Sequence, residues 1–276
     1  MKENIMLTIK GFFMGIANII PGVSGGTLAI TMGIYERLIE AISHFFGKLK
    51  ENIKFLIPVG IGAILSIILG SKVIGYSLDS FPLPTILFFT GLILGGIPML
   101  YKKVKGNFKI SNVIIFMITF AFIIGIMFLK TGKEVSFETM NVGSYFMLFI
   151  VGVIAAATMI IPGISGSFML MVMGYYKPIL NTINDFTSFQ NIGENLLILI
   201  PFGLGILVGF VGIAKIIEIL FKKAEVPTYF GIIGFVLASI IGIFVGTPGL
   251  EFSIFPLLAG VALFLLGFGI AYKLGD

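Results

Sequence analysis

Cysteine is absent from this 276-residue chain, which excludes a disulfide framework and any thiol chemistry. Charge is scarce as well. Asp, Glu, Lys and Arg make up 11% of the residues, where a soluble domain carries roughly 25%. No polar stretch is long enough to fold as a soluble domain, and no aromatic-basic interleave offers a nucleic-acid surface, so no nucleic-acid partner is expected. A cleavable signal pattern is missing too. Lys10 interrupts the first apolar run and no small-residue cleavage site follows, so this run is expected to be the first membrane element. What remains is apolar: 58% of the residues are hydrophobic and the mean hydropathy is +1.13. The apolar runs are long and lack strict alternation, which predicts spanning helices and not a barrel. The expected fold class is an all-α integral membrane protein.

One stretch breaks the first greasy segment. Ile19-Ile20-Pro21-Gly22-Val23-Ser24-Gly25-Gly26-Thr27 returns 141 positions later as Ile160-Ile161-Pro162-Gly163-Ile164-Ser165-Gly166-Ser167. Proline removes a backbone donor and fixes φ, while glycine admits angles that end a helix. Broken backbone at membrane depth is tolerated only where protein buries it or a wet cavity solvates it. A matched pair of such breaks, one per half, marks a binding site.

The repeat extends beyond the motif. Met32, Gly33 and Tyr35 recur as Met173, Gly174 and Tyr176. After a two-residue slip, Leu56-Ile57-Pro58-x-Gly60-x-Gly62 recurs as Leu199-Ile200-Pro201-x-Gly203-x-Gly205, and Gly91 meets Gly234. The chain therefore divides into membrane repeats 1–140 and 141–276. Each is expected to hold one broken element (about 5–34 and 145–176) and three spanning helices (about 53–76, 84–101 and 111–130; 196–219, 227–246 and 255–273). Gly11/Gly15, Gly91/Gly95, Gly205/Gly209 and Gly242/Gly246 are small-xxx-small spacings suited to close helix packing.

Charge bias orients these elements. If the broken elements are re-entrant, the two repeats are inverted. The inner face then collects thirteen lysines and arginines and the outer face four, with Lys215 inside an element. If the broken elements cross instead, the split is eight against nine. The re-entrant, inverted arrangement is expected, with both termini in the cytoplasm.

In each motif a serine stands where a helix would restart. Ser24 and Ser165 are suited to cap the first turn, whose N–H groups carry the positive end of the helix dipole. Glycines let a headgroup approach the backbone. Pro21, Gly22, Ser24, Gly25, Gly26 and Thr27, with Pro162, Gly163, Ser165, Gly166 and Ser167, thus make a candidate site for a phosphate-like anion. A packing kink is the plainer alternative. Arg37 and Lys177 follow the two arms directly and are candidate partners for the anion, although snorkelling to the interface explains such cations equally well. Glu36 and Glu40 are candidates for carrying a coupling proton or sodium ion. No metal site is expected, and the lone histidine, His44, reads as an interface residue.

Pro21-Gly22-Val23-Ser24-Gly25-Gly26-Thr27, its echo at Pro162 and the repeated Leu-Ile-Pro segments resemble the bacterial polyprenyl-phosphate translocase family over essentially the whole chain. The resemblance implies a multi-pass protein of the bacterial cytoplasmic membrane that moves undecaprenyl phosphate between leaflets, recycling the lipid carrier of wall synthesis. Membrane lipids and undecaprenyl phosphate are the partners it implies. An undecaprenyl-pyrophosphate phosphatase and a transporter of small soluble anions are the alternatives. The phosphatase motif resembles Pro-Gly-x-Ser followed by an arginine, whereas Gly25 and Gly166 stand at those places here. Without that cation to neutralise developing charge, no enzymatic activity is expected.

Overall fold

The computed structural model describes residues 2–17, 23–130, 132–137, 140–247, 249–250 and 252–275, and these form an all-α protein. Inside hydrocarbon a chain must satisfy its own backbone groups, and the long apolar runs do so as helices. The first half comprises α1 (Lys2–Ala17), α2 (Gly25–Thr31), α3 (Tyr35–Ser43) and α4 (Leu49–Leu65). A π-type turn (Ser66–Gly70) leads from α4 into α5 (Ser71–Ser80), followed by α6 (Pro82–Gly95), α7 (Ile97–Val104) and α8 (Ile110–Met127). The second half comprises α9 (Val142–Ile160), α10 (Gly166–Met173), α11 (Tyr176–Thr187), α12 (Ile192–Lys223), α13 (Glu225–Gly246) and α14 (Ile254–Gly275).

Seven segments among the described residues are long and apolar enough to cross a membrane. They are Leu49–Gly70, Pro82–Val104, α8, α9, α12, α13 and α14. Six correspond to the expected spanning helices. The seventh, α9, is expected from sequence to be one arm of a broken element, yet its 19 residues extend about 28 Å at 1.5 Å per residue. Its start is well defined, because Asn141 and Ser144 form a reciprocal capping box. By contrast α2 and α10, with 7 and 8 residues, reach only about 10–12 Å. Neither is long enough to cross a hydrocarbon core of about 30 Å.

Helix pairing follows the sequence repeat. Helix α1 packs on α4, and α9 packs on α12. The repeat-matched glycines sit at both crossings. A β-carbon on Gly62 would lie 2.0 Å from the carbonyl oxygen of Thr8, and one on Gly205 would lie 2.0 Å from that of Phe149. Thr8 and Phe149 are themselves 141 positions apart. The other main pairings run between halves, α6 on α14 and α8 on α13. One buried cluster accordingly mixes Leu28, Ile86 and Phe89 with Tyr229, Val236 and Ala271. Pro58 and Pro201 lie inside α4 and α12, and neither ends its helix.

Two elements were not anticipated as separate helices. Following the broken elements, α3 and α11 carry charge on one face and apolar residues on the other. Tyr35, Ile39 and Ala41 are buried in α3, and Ile179 and Thr182 in α11.

Candidate functional site

Both motifs restart a helix as their serines predict. Ser24 is extended (φ −107°, ψ 137°), and its hydroxyl accepts from the N–H of Gly26 at 3.2 Å. Ser165 is likewise extended (φ −98°, ψ 140°) and accepts from the N–H of Phe168 at 3.1 Å. Its hydroxyl also lies 3.1 Å from that of Ser167. Gly163 has φ +87°, a value that L side chains rarely adopt, so the turn before α10 requires glycine there. Pro21 and Gly22 lie outside the described residues.

The two motifs meet. The Gly163 N–H donates to Thr27 Oγ1 at 3.0 Å, a buried bond between residues 136 positions apart. Next to it, the Tyr35 hydroxyl donates to the carbonyl of Ile160 at 3.1 Å. That carbonyl belongs to the last turn of α9, where helix geometry leaves acceptors without intrahelical partners. Burial pushes the Tyr35 phenol pKa up, so it remains a donor across the ordinary pH range. Gly26 stands so close that a β-carbon there would lie 2.8 Å from the same Ile160 oxygen. The start of α2 therefore faces the end of α9.

Exposure divides the site. Ser24, Gly25, Gly26 and Thr27 are buried, as is the rest of α2. In the second motif Pro162, Gly163 and Gly166 are buried, but Ser165, Ser167 and most of α10 are only half-buried. Arg37 and Lys177 lie past the far ends of α2 and α10 and have local partners. Arg37 binds Glu40 at 3.3 Å and stacks over Phe55. The exposed Lys177 pairs with Glu134 at 2.7 Å.

Glu36, Arg37 and Glu40 do come together. They line a cleft of about 520 Å³ with Ile39, Glu218, Phe221, Lys222 and Glu225. A smaller space lined by Ile30, Gly33, Tyr35 and Tyr229 shares Glu36 and Phe221 with this cleft and leads towards α2. Among the described residues, no three His, Asp or Glu side chains converge in a metal-ligand cluster.

Several residues around the cleft escaped the sequence reading. Tyr229 of α13 donates its hydroxyl to Glu36, and Lys103 of α7 binds both Glu36 (3.5 Å) and Glu225 (3.6 Å). Glu218, on a membrane-spanning helix and only 8% exposed, accepts from Ser43 at 2.6 Å and from Lys222, and lies 3.1 Å from His44. A lone acid in the apolar run of α12 was the available signal, since an intramembrane ionisable residue marks function by default. His44, expected merely to sit at the interface, thus has a specific partner in the other half.

These features define a class: a multi-pass α-helical membrane protein whose two broken helices join at one buried point. Comparison with known proteins narrows it. A family model described as undecaprenyl phosphate translocase-like matches residues 14–254, and the chain belongs to that family. The chain is similar to a polyprenyl-phosphate transporter of Staphylococcus aureus, at 35% identity over 97% of this chain and 94% of the relative. It is also similar to a polyprenyl-phosphate transporter of Vibrio cholerae, at 31% identity over 84% of this chain and 75% of the relative. No solved structure matches the chain.

Proposed function

We propose that this protein moves undecaprenyl phosphate between the leaflets of the bacterial cytoplasmic membrane by alternating access. The two repeats, 1–140 and 141–276, are inverted with respect to each other. In each, a longer arm, α1 or α9, enters and the short α2 or α10 turns back towards the face of entry, and both termini face the cytoplasm. The short reach of α2 and α10 and the equivalent pairing of α1 with α4 and α9 with α12 support this arrangement. The phosphate headgroup is received between the paired motifs, and the polyprenyl tail stays in the lipid. Glu36 and Glu40, on the cleft with Arg37, are placed to take up a coupling proton or sodium ion. Both transporter relatives support transport rather than hydrolysis as the activity.

One observation carries the reading, the Thr27–Gly163 bond that joins the two motifs at a single point. The test is leaflet exposure of tagged undecaprenyl phosphate in proteoliposomes, with inorganic phosphate uptake and phosphate release from undecaprenyl pyrophosphate as parallel arms. Protein-dependent exchange of the lipid, without uptake or release, is expected. Uptake of inorganic phosphate without lipid exchange would assign a soluble anion, and steady phosphate release would assign a phosphatase.

A further inference from the structure

The two broken elements are alike in sequence and unlike in packing. All seven residues of α2 are buried, and α2 packs against α1, α3, α6, α9 and α14. In α10 only Gly166 is buried, and its main neighbours are α9 and α11. On the re-entrant reading, α2 returns to the cytoplasmic side and α10 to the outer side. A sealed α2 beside a loose α10 then describes paired motifs shut off from the cytoplasmic cleft of Glu36 and Glu40 and held less tightly on the outer side.

The hydrogen bonds that seal α2 can be carried through the repeat. Thr27 corresponds to Phe168, which has no hydroxyl, so the Thr27–Gly163 bond has no counterpart in the opposite half. Tyr35 corresponds to Tyr176. Tyr35 is the first residue of α3, directly after the α2 element, and Tyr176 is the first residue of α11, directly after the α10 element. One is 4% exposed with its hydroxyl on Ile160, and the other is half-buried. We infer that Tyr35 is a positioning residue that holds the cytoplasmic side closed by binding the carbonyl end of α9, and that Tyr176 performs the reciprocal closure when the protein faces inward. This inference rests on the inverted-repeat reading above.

The physical reason is the helix-end carbonyl. Inside a bilayer, a last-turn carbonyl without a donor is costly, so the donor decides which arrangement is stable. Exchanging one tyrosine for its repeat mate keeps one such bond in each state. The two states then stay close in energy, as a cycling transporter requires. Thr27, with no mate, tips the balance towards the outward-open form.

The cysteine-free chain allows a direct test. Ala29 and Leu170 are repeat mates; Ala29 is fully buried in α2, and Leu170 is half-buried in α10. Ala29→Cys and Leu170→Cys serve as reporters for an impermeant thiol reagent applied to right-side-out or inverted membrane vesicles. With both tyrosines present, Leu170→Cys should label from the outer face and Ala29→Cys should be protected at the cytoplasmic face. Tyr35→Phe removes one buried bond while keeping the ring against Phe221, and should raise cytoplasmic labelling of Ala29→Cys about fivefold. Tyr176→Phe, at a half-buried position that tolerates the change, should shift labelling the opposite way, and the double variant should return towards the starting ratio. If both reporters react from one face, the re-entrant topology fails and the inference with it. If they react from opposite faces but neither phenylalanine shifts the ratio, or both shift it alike, the topology stands and the role of the tyrosines is overturned.

Discussion

The same eight-residue pattern, read twice in one chain, has produced a tight element and a loose one. Around Ser24 the restarted helix is enclosed on all sides, whereas around Ser165 it is covered mainly by its own hairpin. Local sequence does not account for the difference, since both serines cap and both glycines follow. The difference comes from what each helix meets beyond its own broken element. Helix α2 lies against α6 and α14, with Gly96 so close that a β-carbon there would be 2.4 Å from Thr31. The lesson is that a duplicated motif specifies a local conformation, while the tertiary contacts around each copy, within its repeat and across to the other, decide which copy is sealed.

The largest expected effect comes from crowding the sealed copy. Gly26→Val drives a branched side chain into the rigid Ile160 carbonyl, 2.8 Å from its β-carbon, whereas Gly166→Val first meets the flexible Met159 side chain at 2.7 Å and the Ala155 carbonyl at 3.0 Å. Overpacking costs about 1–3 kcal/mol. Thermal unfolding in detergent should place Gly26→Val near the upper end of that range and Gly166→Val near the lower end. Equal destabilisation would mean that the Ile160 carbonyl yields to crowding as readily as the Met159 side chain.

A smaller loss is expected at the polar cluster that ties the halves together beside the tight copy. Glu218 bonds Ser43 and Lys222 and faces His44, while the repeat-equivalent position holds Gly75. The cluster is therefore one-sided. Glu218→Ala removes the acceptor shared by the half-buried Ser43 and the exposed Lys222, and should lower stability by about 0.5–1.5 kcal/mol. Glu218→Gln, which still accepts from Ser43, should lose less. If Ala and Gln cost the same, the Ser43 bond contributes nothing.

The least effect is expected at the loose copy's edge. Lys177 hydrogen-bonds Glu134, and that bond together with the nearby carboxylate charge raises the lysine pKa. A raised lysine pKa contributes stability below the ordinary lysine range and loses it as pH climbs through the folded value. Glu134→Gln should therefore lower neutral-pH stability slightly, the pair being exposed, and let Lys177 react with an acylating reagent at lower pH, read by mass spectrometry. An unmoved reactivity profile would show that the pair does not persist in solution.

Much of this was legible in the chain. Pro58, Gly62 and Gly91 have mates at 201, 205 and 234, and these match because duplicated helices keep the residues at their crossings. The serine caps were readable because capping depends on neighbours two or three positions away. Thr27 on Gly163, Tyr35 on Ile160 and Ser43 on Glu218 were not readable. Those bonds join residues more than a hundred positions apart, and an internal repeat states which residues are equivalent without stating which ones touch. The same limit applies to Arg37 and Lys177: their position after the motifs was readable, whereas their pairing with Glu40 and Glu134 was not.

The central claim is that both motifs serve one headgroup. Its most direct measurement is undecaprenyl phosphate exchange in proteoliposomes, normalised to folded protein, for Ser24→Ala, Ser165→Ala, Gly25→Val and Gly166→Val. Each lost serine cap costs only about 1 kcal/mol, so folding should survive and the rate should fall. A shared site predicts comparable normalised losses from either half, partial for the serines and nearly complete for the glycines, even though the stability losses differ between halves. Full normalised transport in all four variants, or losses that merely track thermal stability, would show that the motifs are kinks for packing and would contradict the account.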